Sequence, residues 1–367
     1  MSSSIQKNND LYLKPVDGMA RLFGKTLTRW ILRAASMKEQ DLSAVEGFIS
    51  PPDTYFRRDR HKHPIINPDT YRLTIDGVSQ TKTFTLAELQ ALPREERLCV
   101  MECSGNGNHW QGTAGLIGQA RWSGPSLESL LALCGGAGPA KYFAFRGRDG
   151  KIADLGYHYG LSLEELLKAR AIIALEMNGQ PLPRKNGFPA RLVVPNVYSM
   201  SHVKWLAHIE GKTEPHRGIH NDYVFVNKEK QGDKWVKVQA RWIGLKSMIV
   251  RCRKEGDGYE LSGWAWGGER PINKVCVSTD DGKTWQEAKL TAPTTALTGE
   301  QAIQSQDATA AWNQFSFHWV PSGPERVYRI ASRAFDEQNN GQDLVQNPNV
   351  EGHYNQTRVK WREVEVP

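Results

Sequence analysis

Residues 176–206 read EMNGQPLPRKNGFPARLVVPNVYSMSHVKWL and hold one short apolar strand, ARLVVP (190–195), among Gly, Pro and Asn turn residues. This stretch ends a series of short segments that begins at Tyr71 and alternates between strand and helix patterns. The earlier strand patterns are YRLTIDG (71–77), LCVMEC (98–103) and KYFAF (141–145), and the helix patterns are TLAELQAL (85–92), SLESLLAL (126–133) and SLEELLKA (162–169). The alternation predicts a mixed α/β layer architecture.

Local signals set the ends of these helices. Thr85 is followed three residues later by Glu88, and Ser162 by Glu165, which is the spacing of a capping box. Gly135 follows SLESLLAL closely and predicts the end of that helix.

After about Gly244 the pattern changes to short alternating segments separated by Gly, Asp, Asn and Pro, with no helix pattern between them. The segments are SMIVRCR (247–253), YELSGWAW (259–266), KVCVST (274–279), FSFHWV (315–320) and VYRIASRAF (327–335). STDDGKTW (278–285) is a hairpin signal. This spacing predicts an antiparallel β-sandwich whose function is assembly.

The chain is therefore divided into three parts. Residues 1–45 are predicted to be an arm with an amphipathic helix around MARLFGKTLTRWILRAAS (19–36), docked on the protein rather than on a membrane. Residues 46–243 form the α/β domain and residues 244–367 the β-sandwich. No apolar stretch approaches the ~20 residues of a membrane span.

Composition limits the classes of partner. The 367 residues carry a formal charge of +7, which favours an anionic partner. Aromatic residues do not alternate with basic ones, so a small anion or a phosphate-bearing cofactor is favoured over nucleic acid. The start, MSSSIQKNNDLYLKP, lacks a signal layout, so we expect a cytoplasmic protein as the sequence stands and a periplasmic one if a leader has been removed.

Cys103, in VMECSGNGNHW (100–110), ends an apolar run just before a Gly-rich loop. The five cysteines form no C-x-x-C pair and are odd in number, which argues against a disulfide framework. The residues alone leave three roles open for Cys103: a packed thiol, a nucleophile paired with His109 or His202, or a ligand of a soft metal.

Four blocks resemble the sulfite oxidase family of molybdenum enzymes over about residues 48–290. The blocks are 176–206, YFRRDRHKHPIINPDTYRLTIDG (55–77), GTAGLIGQARWSG (112–124) and LSGWAWGGERPINKVCVSTDDGKTW (261–285). The resemblance implies an α+β fold, that is, a mixed α/β molybdopterin-binding domain followed by an all-β immunoglobulin-like sandwich that forms a homodimer.

The resemblance also implies roles for individual residues. Cys103 matches the thiolate that ligates molybdenum beside a pyranopterin. Arg58 matches the substrate arginine, Trp122 a tryptophan that walls the substrate pocket, and Tyr223 an active-site tyrosine. The positions that match cofactor contacts, besides Cys103, are Phe56, Arg57, Arg58, Asp59, Arg60, Asp149, Asn186, Arg191, His202, Val203 and Lys204.

The chain departs from the family pattern at three places, and two of them are among these cofactor contacts. Asn108 stands where many members have an arginine, which removes one positive charge expected near the substrate. Asn186 and Arg60 each replace a histidine expected near the cofactor. The sequence of Glu102 and Cys103, with Trp110 downstream, is similar to the branch of sulfane-sulfur dehydrogenases.

The function implied by the resemblance is two-electron oxidation of sulfite or a related sulfur oxyanion by oxo transfer at molybdenum. Neither a haem nor a flavin motif is visible, so an external acceptor, such as a c-type cytochrome, would take the electrons. Two alternatives stay open: a molybdenum-dependent reductase of a sulfoxide or another oxo substrate, and a cofactor-free interaction protein in which Cys103 is inert.

Overall fold

The structure is a computed structural model. It describes residues 13–15, 37–59, 61–107, 114–149, 156–299, 302–304, 307–323 and 325–367. The amphipathic helix predicted at 19–36 lies outside the described residues. No helix in the described part of the chain has the length and apolar character needed to cross a membrane.

Most of the regular structure is β-strand. The strands before residue 220 are β1 (Leu13–Pro15), β2 (Met37–Lys38), β3 (Arg57–Arg58), β4 (Arg72–Asp76), β5 (Lys82–Thr85), β6 (Glu95–Glu102), β7 (Ile117–Gly124), β8 (Tyr142–Gly147), β9 (His158–Ser162), β10 (Ile172–Ala174), β11 (Glu176–Met177), β12 (Gln180–Pro181), β13 (Arg191–Val193) and β14 (Leu206–Lys212). The later strands are β15 (Val226–Gln231), β16 (Lys234–Gln239), β17 (Lys246–Glu255), β18 (Gly258–Trp266), β19 (Ile272–Ser278), β20 (Gln286–Glu287), β21 (Lys289–Thr291), β22 (Asn313–Trp319), β23 (Val327–Asp336), β24 (Val350–Glu351) and β25 (Arg362–Glu365).

The helices are short. They are α1 (Leu86–Ala91), α2 (Leu127–Leu133), α3 (Leu163–Lys168) and α4 (Pro293–Ala296), with 3-10 turns at Leu42–Ala44, Arg184–Asn186 and Ser199–Ser201 and a π turn at His220–Val224. Both predicted capping boxes are confirmed: Thr85 bonds reciprocally with Glu88 before α1, and Ser162 with Glu165 before α3. The turn after α2 uses Gly135 in a left-handed conformation (φ +75°).

Two sheets organise the first domain. One has the order β5-β4-β14-β8-β9 and the other β12-β11-β7-β6. β4 and β14 pair in parallel, whereas β6 and β7 pair antiparallel along their full length of eight residues. The helices cover these sheets but are only six or seven residues long, so the sheets provide most of the layers.

The second domain is built from two β-sheets around one apolar core. Its sheets have the orders β17-β18-β22-β21 and β25-β23-β19-β20, and β1, from the N-terminal part of the chain, pairs with β25 at the edge of the second sheet. The core between them includes Leu261, Val275, Phe315 and Ile330, all with 1% or less of their surface exposed. The mostly β second domain predicted from the sequence is confirmed.

The two domains share buried surface. Trp264 of β18 stacks on Trp312 at 4.6 Å between ring centroids, and Phe48 of the first domain packs edge-on against Trp264. All three belong to the same core cluster as the first domain's sheets.

Candidate functional site

Cys103 directly follows the last residue of β6. Its backbone N–H donates to the carbonyl of Leu116 at 2.9 Å, and its own carbonyl accepts the N–H of Asn106 at 2.8 Å, which closes a tight turn. The side chain is partly exposed and faces a cavity of about 200 Å³. The end of β6 therefore presents this thiol to an open space.

None of the five cysteines, all of which are described, forms a disulfide. Cys99, Cys134 and Cys252 are buried, and burial raises the pKa of the Cys99 and Cys134 thiols. A raised thiol pKa makes the thiolate scarce, so these side chains are poorly suited to ligate a metal. Cys103 alone among the five lines the cavity described above.

A second, smaller cavity of about 50 Å³ adjoins the first. The two share four lining residues, which are Arg58, Ser199, His202 and Lys204. Of the residues predicted to bind the cofactor, Asp59, Cys103 and Asp149 line the larger cavity, and Phe56, Arg57, Asn186 and Arg191 line the smaller one. The fold thus brings together side chains that are up to 148 positions apart, from Phe56 to Lys204.

Asp59 is the centre of a buried charge cluster between the two cavities. Its carboxylate is 4% exposed and lies 2.9 Å from Arg57 Nε and 2.8 Å from His63 Nε2. Lys204 Nζ donates to the other carboxylate oxygen, and burial lowers the pKa of that lysine. The Lys204 ammonium also lies 4.5 Å from the centre of the Trp205 ring. Asp59 thereby fixes two cations at the cavity walls.

Arg191 provides a fully buried cation at the smaller cavity. Burial lowers its pKa to about 10, so it stays charged at neutral pH. Its guanidinium donates to the carbonyls of Asn186 (2.8 Å) and His202 (3.3 Å) and lies 4.7 Å above the Trp122 ring. These contacts from three sides hold the guanidinium in one orientation.

His202 is a neutral imidazole held by backbone groups. Nδ1 accepts the N–H of Val194 at 3.4 Å, and Nε2 lies 3.1 Å from the Val197 carbonyl, which assigns the proton to Nε2. Burial and the neighbouring Arg191 lower its pKa to about 3. Because both ring nitrogens are engaged, the arrangement does not favour a catalytic dyad of Cys103 with His202. His109, the other candidate partner, lies outside the described residues.

This depressed pKa predicts a pH dependence of stability. An unfolded histidine titrates near pH 6.5, whereas His202 in the fold takes up its proton only near pH 3. Between these values the unfolded state binds more protons, so this contribution is complete above pH 6.5 and is lost as the pH falls toward 3. We expect His202→Gln to reduce the slope of unfolding free energy against pH by about 1.4 kcal/mol per pH unit in this range. Urea unfolding of the cofactor-free protein at several pH values measures this slope. An unchanged slope in His202→Gln would contradict the conclusion that His202 is buried as a neutral ring.

Several polar atoms at the cavities have no hydrogen-bond partner among the described residues. These atoms are Asn186 Oδ1, Arg191 Nε and Asp149 Oδ1. Each residue is at least nine-tenths buried, and burial raises the pKa of Asp149. Buried polar groups in native proteins are nearly always paired, so the lack of partners for these three atoms points to a bound polar molecule that would pair with them.

The charge around the cavities suits an anion. The lining includes five cations and two carboxylates; the cations are Arg57, Arg58, Lys185, Arg191 and Lys204, and the carboxylates are Asp59 and Asp149. Asp59 is already compensated by three neighbours. The remaining excess of positive charge fits a phosphate-bearing ligand or an oxyanion.

Three predicted residues lie away from the cavity walls. Trp122 is completely buried on β7 beneath Arg191 and edge-on to Tyr55, so it supports Arg191 instead of walling a pocket. Val203 is a core residue. Tyr223 is 70% exposed in the π turn, with Lys237 Nζ 4.9 Å from its ring centre. Arg60, Asn108 and Trp110 lie outside the described residues.

Sequence reasoning missed other residues that line the larger cavity. Tyr157 donates its hydroxyl to the Met200 carbonyl at 2.6 Å, and Tyr354 comes from the second domain. Ser199 and Met200 belong to a 3-10 turn at the same wall. No local pattern marks any of them. The block at 176–206 was a usable signal only for Ser199 and Met200, because it includes both.

Comparison with known proteins assigns both domains. Residues 60–220 match the family model described as oxidoreductase molybdopterin binding domain, and residues 244–366 match that described as Mo-co oxidoreductase dimerisation domain. These two domains in this order define a molybdopterin oxidoreductase.

Comparison with individual relatives identifies the family within the molybdopterin oxidoreductases. The chain is 30% identical over 325 residues to mitochondrial sulfite oxidase of Mus musculus, which covers 81% of this chain and 58% of the mouse protein. It is 27% identical over 351 residues to sulfite oxidase of Arabidopsis thaliana, which covers 85% of each chain. The chain belongs to the sulfite oxidase family, as the sequence blocks predicted. It spans less than two thirds of the length of the mammalian relatives.

A solved structure shares the fold. The crystal structure of the sulfane dehydrogenase SoxCD from Paracoccus pantotrophus superposes with a TM-score of 0.77 and 24% identity, and covers 91% of this chain and 87% of that chain. The fold of this chain is therefore shared with that structure over most of both chains.

The residues at the cavities fit a molybdenum pyranopterin. The cofactor carries a phosphate, a polar ring system and a metal that accepts a soft ligand. Arg191 and Lys204 would supply fixed positive charge, the unpaired polar atoms of Asn186, Arg191 and Asp149 would supply polar contacts, and Cys103 would supply a sulfur ligand.

Proposed function

We propose that this protein is a molybdenum-cofactor oxidoreductase that oxidises sulfite or a related sulfur oxyanion by two electrons. The observation that carries the proposal is the position of Cys103, whose side chain faces a cavity lined by Arg58 and Lys204 and joined to the site of Arg191. A soft thiolate at the edge of this cavity is suited to ligate molybdenum, and the cations of the cavity wall are suited to attract an anionic substrate to the metal.

When bound, the cofactor supplies oxygen-atom transfer and takes up the two electrons. The chain supplies binding and orientation. Cys103 Sγ would ligate the metal, and Arg191, Lys204 and Asn186 would hold the pterin and its phosphate. Asp59 keeps Lys204 in place through its ion pair, and Trp122 does the same for Arg191 by lying flat beneath it.

Arg58 is the residue proposed to bind the substrate. It lines both cavities, so it lies where the larger cavity, which the Cys103-bound metal and a substrate would share, meets the smaller one, which Arg191 lines. A guanidinium can hold an oxyanion by two parallel N–H bonds, which also orients the sulfur atom. Tyr157 borders the same space and anchors the Met200 wall through its hydroxyl. Tyr223 is 70% exposed and lines neither cavity, so no substrate contact is proposed for it.

The test is made on the purified protein. We expect about one molybdenum and one pterin per chain, and reduction of an artificial acceptor that depends on sulfite or another sulfur oxyanion. A protein with no molybdenum after expression with the cofactor available would contradict the proposal and favour a cofactor-free interaction protein. Molybdenum with activity only on sulfoxides would instead support the reductase.

We further propose that an external acceptor, such as a c-type cytochrome, receives the electrons, with no haem or flavin in this chain. The second domain would be an immunoglobulin-like sandwich, which its two packed antiparallel sheets support. The compartment, cytoplasmic or, after loss of a leader, periplasmic, stays a prediction.

We expect a homodimer held by residues after about 245. The second domain matches a dimerisation model, and twofold pairing is the most common symmetric assembly. Sedimentation at micromolar concentration should give a mass of twice the 41.3 kDa chain. Monomer alone under these conditions would contradict the prediction.

A further inference from the structure

The second domain contacts the loop that carries Cys103 at four points. Within residues 102–107, Glu102 is bound by Lys246 Nζ and Trp266 Nε1, the Ser104 carbonyl accepts the N–H of Asn355 at 2.8 Å, and Lys360 Nζ donates to the Gly107 carbonyl. All four donors come from β17, β18 or the C-terminal segment. The loop is therefore held from outside its own domain.

Glu102 is the main anchor. Its side chain has no exposed surface; Oε1 accepts from Lys246 Nζ (2.9 Å) and Asn106 Nδ2 (3.0 Å), and Oε2 from Trp266 Nε1 (2.9 Å). A buried carboxylate is tolerated only when it is paired and hydrogen-bonded in this way. Such pairs add little net stability but can fix one arrangement among several.

Because Glu102 directly precedes Cys103, the contacts that hold Glu102 also restrict the position of Cys103. Successive side chains of a strand point to opposite faces, so Glu102 enters the domain interface while Cys103 faces the cavity. Asn106 closes the other side of the turn: its N–H bonds the Cys103 carbonyl, and its Oδ1 accepts the N–H of Leu116 at 2.9 Å. Cys103 lies between two residues that bind each other.

The same network reaches the opposite cavity wall. Lys246 Nζ also donates to the Tyr198 hydroxyl at 2.8 Å, which in turn donates to Asn355 Oδ1 at 2.6 Å. Tyr198 immediately precedes the turn of Ser199 and Met200, both of which line the larger cavity. One buried lysine of the second domain thus connects both walls.

We propose that the Glu102–Lys246 pair is a positioning device, by which the second domain holds the Cys103 thiol at the place where it meets the metal. The proposal rests on the proposed function, since it takes Cys103 as the molybdenum ligand. Neither residue lines the two cavities of the site. The second domain then has a role at the active site besides dimerisation.

The test uses the double variant Glu102→Gln/Lys246→Met in the full chain, which removes both charges and leaves no unpaired buried ion. Its control is Asp307→Asn/Arg170→Met, which removes a different ion pair between the two domains, at 3.1 Å. In metal-free protein we expect Cys103 of the first variant to be alkylated by iodoacetamide several-fold faster, as followed by mass spectrometry of its peptide. In protein expressed with the cofactor, molybdenum per chain should fall by half or more. The control should match the parent in both.

Two single variants with smaller expected effects keep the proposal testable if the double variant does not fold. Trp266→Phe removes one donor to Glu102, and Trp312→Phe removes a buried indole bond at the same interface, to the Phe48 carbonyl at 3.1 Å. Both changes remove the same side-chain volume from a buried site, so they differ in the hydrogen bond that is lost. Trp266→Phe should raise the alkylation rate of Cys103, and Trp312→Phe should not.

The proposal would be overturned if the Glu102/Lys246 double variant matched the parent in Cys103 alkylation and in molybdenum content, while both double variants lost the same amount of melting temperature. The Glu102–Lys246 pair would then contribute to stability alone. Failure of the proposed function looks different. If the proposed function fails, the parent protein will contain no molybdenum, or the Cys103→Ser protein will keep full activity. The alkylation rate of the metal-free protein would still show whether the Glu102–Lys246 pair positions the Cys103 thiol.

Discussion

Replacing Cys103 by serine should leave a folded chain whose turnover with sulfite is lower on the order of a hundredfold or more. A hydroxyl is a harder and far less acidic ligand than a thiol, so it neither matches molybdenum nor ionises readily at neutral pH. Changes to residues that only support a metal ligand already cost about tenfold to a hundredfold. Loss of the ligand atom itself should cost at least as much.

The free energy of unfolding distinguishes loss of the metal ligand from loss of the fold in Cys103→Ser. Cys103 is only partly buried, so its replacement should change the unfolding free energy by about 1 kcal/mol or less. Cys276, which is also partly buried but lies on β19 of the second domain, is the matched control. Cys276→Ser should keep parental turnover and molybdenum content. Parental turnover in Cys103→Ser, with metal retained, would show that the ligand assignment is wrong.

The elements of this fold were predictable where their causes are local. The capping boxes of Thr85 and Ser162 involve partners three residues away, and both formed as the spacing indicated. The alternating strands after 244 followed from period and turn residues alone. Cys103 stood out for a local reason too, since it ends a strand before a Gly-rich turn.

The site itself depends on long-range contacts that no local pattern contains. Asp59 and Lys204 are 145 positions apart and Glu102 and Lys246 are 144 apart, yet each pair is in contact. The family resemblance supplied Asp59 and Lys204 because they lie in two of its four blocks, 55–77 and 176–206. It supplied neither Tyr157 nor Tyr354, and it placed Trp122 at a pocket wall although strand β7 turns that ring into the core beneath Arg191.

Arg58→Gln is the second change with a large expected effect. We expect it to raise the KM for sulfite, or for the sulfur oxyanion that proves to be the substrate, by about tenfold to a hundredfold. A lost charge-assisted contact costs about 1.5–3 kcal/mol, which corresponds to that range. Molybdenum content should stay at the parental level, because Cys103, Arg191 and Lys204 remain.

The neighbouring arginine provides the control. Arg57 lines only the smaller cavity and pairs with Asp59 at 2.9 Å, so it belongs to the cofactor side of the site. Arg57→Gln should lower cofactor content more than it raises KM, the reverse of Arg58→Gln. Steady-state kinetics with metal analysis of both variants distinguish the two roles.

The missing family arginine makes the test of Arg58 sharper. With asparagine at position 108, Arg58 should carry more of the anion's stabilisation than in relatives that have both arginines. Asn108→Arg should then lower the KM for sulfite and partly compensate for Arg58→Gln in the double variant, because the family resemblance implies a positive charge near the substrate at this position. If Asn108→Arg leaves sulfite kinetics unchanged and Arg58→Gln has little effect, the cavity does not select an oxyanion. A neutral substrate such as a sulfoxide, reduced instead of oxidised, would then be favoured.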